Sequence, residues 1–235
     1  MNKMNKTRMK NKNNKSKIRP FTDNRIKYII NLLSPKNSDK VLNVGISNIP
    51  EIEIAIEDNV KECWTIDIDK QKLKKASKYL KKTKLICEDI DSKPLKKNYF
   101  DKVIIIEVLE HLDSDITALK WINSILKKNG SVIIGVPNKH PLHIINPVKY
   151  FEHKRHYSNE EITNKTEENG FKIMHLNVVE NWSLLANLYI HFFFKFILRK
   201  TIPFNTFKKS ANKTYMQENK SGMDIIIKAK KIRDV

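Results

Sequence analysis

Short apolar runs alternate with amphipathic patterns along most of the chain. The runs that predict strands are KVLNVG (40–45), ECWTID (62–67), TKLICED (83–89), DKVIIIEV (101–108), SVIIGVP (131–137), FKIMHLNVV (171–179) and MDIIIKAKK (223–231). Strands that are apolar throughout and separated by helices are typical of a parallel sheet covered on both faces. The pattern therefore predicts a doubly wound α/β fold.

The amphipathic patterns predict the helices between these strands. They are FTDNRIKYIINLL (21–33), EIEIAIEDN (51–59), KQKLKKASKYLKK (70–82), DSDITALKWINSILKKNG (113–130) and SNEEITNKTEENG (158–170). We expect Gly130 to end the fourth helix. Ser158 and Glu161 have the spacing of a capping box, and Gly170 is placed to end the last helix.

A strongly apolar segment, WSLLANLYIHFFFKFILRK (182–200), lies in a predicted insertion at about 180–222. Its polar residues recur every four positions and draw one narrow stripe along a helix: Ser183, Asn187, His191, Lys195 and Arg199. The run is too short and too often interrupted to span a bilayer. It predicts either an interfacial helix on an anionic membrane surface or a helix buried in the domain or in a dimer interface.

The net charge of +19 is concentrated at the two ends. Residues 1–19 hold eight basic residues and no acid, and residues 195–235 hold eleven basic and three acidic residues. We expect 1–19 to be a disordered basic tail. Such ends attract RNA and anionic membranes alike, and a lysine-rich composition across the whole proteome would explain them equally well.

The cysteines and histidines carry no ligand spacing. Cys63 and Cys87 each lie in an apolar run, which predicts reduced core residues of an intracellular protein. No secretory signal is visible, so the cytoplasm is the expected compartment. We expect no metal site, because the histidines of the loop 140–156 lack the spacing of a ligand set.

The residues that directly follow the strands are the candidates for chemistry, because ligands of open α/β sheets bind at the carboxyl ends of the strands. Gly45 follows the first strand, where a turn can present backbone N–H groups to a carboxylate. Asp67 follows the second strand, roughly 20 residues on, where a carboxylate can bind both hydroxyls of a ribose. Asp89 and Glu107 occupy the corresponding positions of the next two strands.

These stretches resemble the class I S-adenosylmethionine-dependent methyltransferases of the small-molecule and glycan-modifying type. The resemblance rests on VLNVG, TIDIDKQKL, CEDIDSKPLKKNYFDKVIIIEVLEHL, KKNGSVIIGVPN, EHKRHYSNEEI, ENGFKI and DIIIKAK, which span 40–230 in the family's order. It implies one methyltransferase domain over 20–235 with a Rossmann-like, mostly parallel sheet of seven strands and a final antiparallel hairpin. It also implies S-adenosylmethionine as cofactor.

The resemblance assigns roles to individual residues. It implies a cofactor site formed by Asn43, Gly45, Ser47, Asp67, Ile68, Asp89, Ile90 and Glu107. Gly45 would lie beside the methionine moiety, Asp67 at the ribose, Asp89 near the adenine amino group, and Glu107 on the methyl side. The structural alternative is that the two aspartates only solvate strand ends and that EVLEHL simply opens a helix.

One motif departs from the family's pattern, acid-x-Gly-x-Gly-x-Gly. The acid is replaced by Asn43, and the second and third glycines by Ser47 and Ile49. A Cβ at a glycine position narrows the pocket. The departure keeps open a non-catalytic scaffold that has lost its cofactor.

The segment HKRHYS places His153, Arg155 and Tyr157 at alternate positions, so an extended backbone would direct all three to one side. We expect a substrate wall there, with Arg155 and Tyr157 facing the acceptor. A sulfonium donor is already activated, so positioning supplies much of the rate. If the acceptor is a hydroxyl, Glu107, His111 or His153 is the candidate base.

Three functions follow from the sequence. The first is methyl transfer to a small-molecule, lipid or glycan acceptor by a cytoplasmic enzyme that binds the inner membrane face through 182–200 and its basic ends. The second is RNA methylation, which the basic ends permit although no RNA-binding module is recognisable. The third is the scaffold.

Overall fold

The structure is a computed structural model that describes residues 22–90, 95–139, 154–180, 189–190, 193–199, 215 and 222–235. The predicted basic tail and most of the predicted insertion lie outside these residues, as does His153.

Seven strands form one sheet in the order β3-β2-β1-β4-β5-β7-β6. They are β1 (Lys40–Val44), β2 (Glu62–Asp67), β3 (Lys84–Cys87), β4 (Phe100–Ile106), β5 (Leu126–Pro137), β6 (Phe171–Val179) and β7 (Asp224–Lys231). The neighbours from β3 to β5 pair in parallel, and β7 is antiparallel to both β5 and β6. The predicted mixed sheet with a final antiparallel hairpin is confirmed.

Helices cover both faces of the sheet, as the apolar strands require. They are α1 (Thr22–Leu33), α2 (Glu51–Ile56), α3 (Lys70–Ala76), α4 (Asp115–Ile125) and α5 (Asn159–Glu168), with a 3₁₀ turn at Leu109–His111 and a π-helical turn at Phe193–Ile197. One core joins α4 and α5 to the sheet, and a second joins α1 and α2 to the opposite face. The carboxyl ends of β1–β4 open between these layers.

The fourth helix ends earlier than predicted, at Ile125 rather than at Gly130. Leu126 already pairs with Phe100, and the Lys127 ammonium lies 2.7 Å from a carboxylate oxygen of Asp101. A Cβ on Gly130 would lie 2.9 Å from the carbonyl oxygen of Lys127. The glycine therefore permits a tight approach within the start of β5 and does not end the helix.

The lysine-rich helix α3 is also shorter than predicted and ends at Ala76 instead of residue 82. The backbone N–H groups of Lys81, Lys82 and Thr83 donate to the buried carboxylate of Glu57 at 3.1, 3.0 and 3.2 Å. These bonds turn the chain toward β3 and replace the helical bonds of a further turn.

The helix at 158–170 begins and ends as predicted. The Ser158 hydroxyl accepts a hydrogen bond from the backbone N–H of Glu161 at 3.1 Å, and Gly170 adopts φ +85° just beyond the helix. Cys63 and Cys87 are both free, but only Cys63 is a core residue, and burial raises the pKa of its thiol to about 12. The expectation that Cys87 is buried is wrong, because the short edge strand β3 leaves it exposed.

Candidate functional site

A cavity of about 660 Å³ opens at the carboxyl ends of β1–β4, beneath α1. Its wall combines apolar side chains with six aspartates and glutamates but one arginine and one lysine. The charged residues are Glu51, Glu53, Asp67, Glu88, Asp89, Glu107, Arg25 and Lys72. An acidic cavity in a chain of net charge +19 favours a ligand that carries positive charge.

The turn after β1 forms the floor of this cavity. Gly45 adopts φ +84°, and a Cβ there would lie 2.5 Å from Cγ2 of Val108. The N–H of Gly45 donates to the carbonyl of Ile66 at 2.8 Å, and the N–H of Ile46 donates to the carboxylate of Asp67 at 2.7 Å. The first two N–H groups of the turn therefore bind protein acceptors and are not presented to a ligand, contrary to the expectation for this turn.

Asp67 stands at the end of β2 with both carboxylate oxygens in use. One accepts from the N–H of Ile46 and the other from the N–H of Asp69, each at 2.7 Å. These two bonds fix the carboxylate against the cavity, while each oxygen keeps further acceptor capacity. The arrangement can accept a pair of hydroxyl donors from a ligand.

A buried polar cluster lies behind the turn. The Asn43 amide donates to the carbonyl of Gly45 at 2.9 Å and to Oε1 of Glu53 at 2.7 Å. The Thr65 hydroxyl donates to the same Glu53 oxygen at 2.8 Å. Burial raises the pKa of Glu53, although the bonds from Asn43 and Thr65 oppose that shift.

A second charged cluster joins α1 to the sheet. One guanidinium nitrogen of Arg25 lies 3.1 Å from Glu107, while 3.6 and 3.7 Å separate the guanidinium from Glu180 and Asp224. Burial lowers the pKa of Arg25, but the nearby carboxylates, Glu180 first, outweigh it and raise that pKa well above its usual value. Tyr215 donates to Glu180 at 2.7 Å, and burial and this carboxylate raise its pKa well above the ordinary value.

The structure brings all eight residues of the predicted cofactor site to one cavity wall. These are Asn43, Gly45, Ser47, Asp67, Ile68, Asp89, Ile90 and Glu107. His111 lines the same cavity, so two of the three candidate bases lie there. Ile49, at the family's third glycine position, also lines the wall, and the cavity stays open beside it.

Arg155 and Tyr157, which were predicted to form a substrate wall, do not line the cavity. The Arg155 guanidinium donates to the backbone carbonyls of Leu112 and Asp113. Tyr157 is fully buried, and its hydroxyl donates to the carboxylate of Asp115 at 3.1 Å. Both side chains instead hold this segment against the start of α4.

Sequence reasoning missed Arg25 and Glu53, which both line the cavity. The pattern of α1 identifies its apolar face but not the strand ends that it covers. Glu53 could have been found, because Glu53 and Ile56 lie three positions apart on one helical face and an acid among core-facing positions is unusual.

No cluster of histidine, cysteine and acidic residues able to hold a metal occurs among the described ranges from 22 to 235. Hydrogen-bonding and charged groups line the polar parts of the cavity, and aliphatic side chains such as Ile29, Ile68 and Ile90 line the rest.

Part of the chain matches known proteins. Residues 42–134 match the model of a family described as a methyltransferase domain. An uncharacterized protein of Methanocaldococcus jannaschii is 39% identical over 101 residues, which make up 42% of each protein. The chain thus spans less than half of the length of this relative.

Solved structures share the fold over most of the chain. A SAM-dependent methyltransferase from Archaeoglobus fulgidus is 22% identical with a TM-score of 0.61, covering 88% of this chain and 91% of that one. The N-methyltransferase NodS from Bradyrhizobium japonicum, in complex with S-adenosylhomocysteine, is 13% identical with a TM-score of 0.61, covering 92% and 90%. The [4+2]-cyclase SpnF is 16% identical with a TM-score of 0.64, covering 88% and 80%. At these identities the similarity shows the fold.

Proposed function

Because the chain carries a class I S-adenosylmethionine-dependent methyltransferase domain, we propose that it transfers the methyl group of this cofactor to a small-molecule, lipid or glycan acceptor. The observation that carries the proposal is that the residues after β1, β2, β3 and β4 meet in one cavity. Its volume of about 660 Å³ falls within the usual range of ligand sites.

The residues present fit this cofactor. Its sulfonium and ammonium groups outnumber its one carboxylate, which matches a wall of six acids and two bases. When bound, the cofactor supplies a methyl group that is already activated as a sulfonium. The chain's own contribution is then to bind and orient the two reactants.

The order of the strands supports an assignment of the parts of the cofactor to the parts of the wall. The fixed carboxylate of Asp67 would accept the ribose hydroxyls. Asp89 and Ile90, after the neighbouring β3, would contact the adenine. On the other side of β1 lies β4, so Glu107 would face the reactive end.

Among the candidate bases, His111 is the best placed for a hydroxyl or amine acceptor. Its side chain is 44% exposed at the cavity edge, and its Nε2 lies 3.9 Å from a carboxylate oxygen of the buried Glu110. Glu107 is instead held by Arg25 at 3.1 Å. His153 lies outside the described residues and remains a prediction.

A cytoplasmic location and binding to an anionic membrane remain part of the proposal. Within the residues that the structure describes, no helix is long and apolar enough to cross a membrane. Of the apolar segment 182–200, Phe193, Ile197 and Leu198 are exposed, at 48, 67 and 45%. Large exposed apolar side chains beside Arg199 support an interfacial role for this segment, and with it a lipid-linked acceptor.

The deciding experiment is calorimetric titration of S-adenosylhomocysteine into the full chain and into Asp67→Ala. We expect one-to-one binding and a loss of at least about 100-fold in the variant, because charged hydrogen bonds to two hydroxyls are removed. Asp69→Asn is the matched control: it alters a carboxylate two positions away that caps α3 outside the cavity, and asparagine also caps well. A wild-type chain without binding at millimolar ligand would favour the scaffold instead.

A further inference from the structure

A buried carboxylate on α2 lies beside position 43 of β1 in this protein. Position 43, where the resemblance implies an acid, holds an asparagine whose amide lies 2.7 Å from the carboxylate of Glu53. That amide also donates to the carbonyl of Gly45 at 2.9 Å, so Asn43 connects the turn to this carboxylate. An acidic side chain thus lies beneath this turn, ten positions later in the sequence than Asn43.

The carboxylate of Glu53 is unusual in its surroundings. Glu53 is only 1% exposed, and no lysine, arginine or histidine pairs with it among the residues that the structure describes. Its two neutral donors, Asn43 and Thr65, satisfy one oxygen but bring no positive charge. Burial raises the pKa of Glu53, and a cation bound at this part of the cavity wall would offset the cost of holding its carboxylate charged.

The strand order shows which part of a bound cofactor would lie beside Glu53. With the ribose at Asp67 on β2 and the adenine at the end of β3, the ligand must continue across β1 toward β4. The turn at Gly45, which Asn43 ties to Glu53, lies on that path. The methionine part of the ligand carries an ammonium group, which is a cation with three N–H donors.

We propose that Glu53 supplies the negative charge that binds the ammonium group of the cofactor's methionine moiety. This inference rests on the proposed function and adds a binding residue to it. Asn43 acts as a positioning residue, because its amide holds both the Glu53 carboxylate and the carbonyl of Gly45 in place.

The test is a thermodynamic cycle by calorimetry on the full chain. Its ligands are S-adenosylhomocysteine and the deaminated analogue, which has hydrogen in place of the ammonium group. The wild type should bind the analogue at least about tenfold more weakly, since a charged hydrogen bond is lost. Glu53→Gln should bind both ligands with the same, weaker affinity.

Two further variants make the cycle specific. Asn43→Asp combined with Glu53→Gln places the charge on β1 and should recover affinity for S-adenosylhomocysteine to within about threefold of the wild type. Glu57→Gln is the matched control, since Glu57 is a buried acid next to α2 whose partners are Lys81, Lys82 and Thr83 and which does not line the cavity. It should lose stability and keep the wild-type preference for the ammonium.

Each contrary outcome has its own meaning. A wild type that binds both ligands equally, or a Glu53→Gln variant that keeps the preference or weakens both ligands by the same factor, overturns the assignment of Glu53. A wild type that binds neither ligand removes the proposed function itself.

Discussion

The cofactor side of the molecule and its C-terminal side use the same kinds of side chain for different purposes. On the cofactor side, Asp67 is fixed by two backbone N–H groups and faces a cavity. On the C-terminal side, Asp115 is fixed by Tyr157 and Lys165 and does not line that cavity. Where a polar residue stands relative to a strand end therefore predicts a site better than its chemistry does.

Arg25 connects the two sides. Its guanidinium contacts Glu107 after β4, and it also lies close to Glu180 after β6 and Asp224 at the start of β7. These three carboxylates meet because β7 runs antiparallel to its neighbours. The helix α1 is held over the cavity by this cluster, so the C-terminal strands support the cofactor side without lining it.

Two glycines with nearly the same positive φ give the sharpest contrast between the sides. Gly45 has φ +84° and Gly170 has φ +85°, and a Cβ at either one would lie within 2.6 Å of a neighbouring atom. Alanine at either position should cost about 2 kcal/mol of unfolding free energy, from the left-handed conformation and the close contact. Urea unfolding measures this cost.

The two alanine variants should differ in ligand binding. Gly45→Ala pushes against Val108, and both residues line the cavity, so we expect binding of S-adenosylhomocysteine to weaken by at least about tenfold. Gly170→Ala should bind as the wild type does. Equal loss of binding in both variants would mean that global stability, and not the shape of the turn, controls the site.

What could be predicted from the sequence also differs between the cofactor side and the C-terminal side. The strands and the convergence of the strand-end residues from Asn43 to Glu107 were predictable, because parallel strands place their carboxyl ends at one edge. The directions of Arg155 and Tyr157 were not, because alternation puts side chains on a common side without saying what lies there. Glu53 was signalled only as an acid among core-facing positions of α2, and Arg25 required the tertiary structure, which shows that α1 covers the cavity.

Tyr157→Phe tests whether the C-terminal side is structural. The change removes the hydrogen bond to Asp115 and leaves the ring in its buried place, so the expected loss is about 1 kcal/mol of unfolding free energy. The affinity for S-adenosylhomocysteine should stay unchanged. A variant of normal stability with a raised KM for an identified acceptor would instead restore the substrate role predicted from the sequence.

The smallest effect should appear in the pH dependence of stability. Burial raises the pKa of Asp115, but the hydrogen bond and charge of Lys165 and the hydroxyl of Tyr157 outweigh it, so the folded-state pKa is lowered. A carboxyl with a lowered pKa contributes stability above its unfolded pKa of about 3.9 and loses it as pH falls through the folded value. Unfolding free energies of the wild type should therefore fall between about pH 5 and pH 3, and those of Asp115→Asn should fall less steeply. Because the other carboxylates titrate in both proteins, the difference between the two slopes isolates Asp115, and parallel slopes would show that Lys165 adds no stability through this carboxylate.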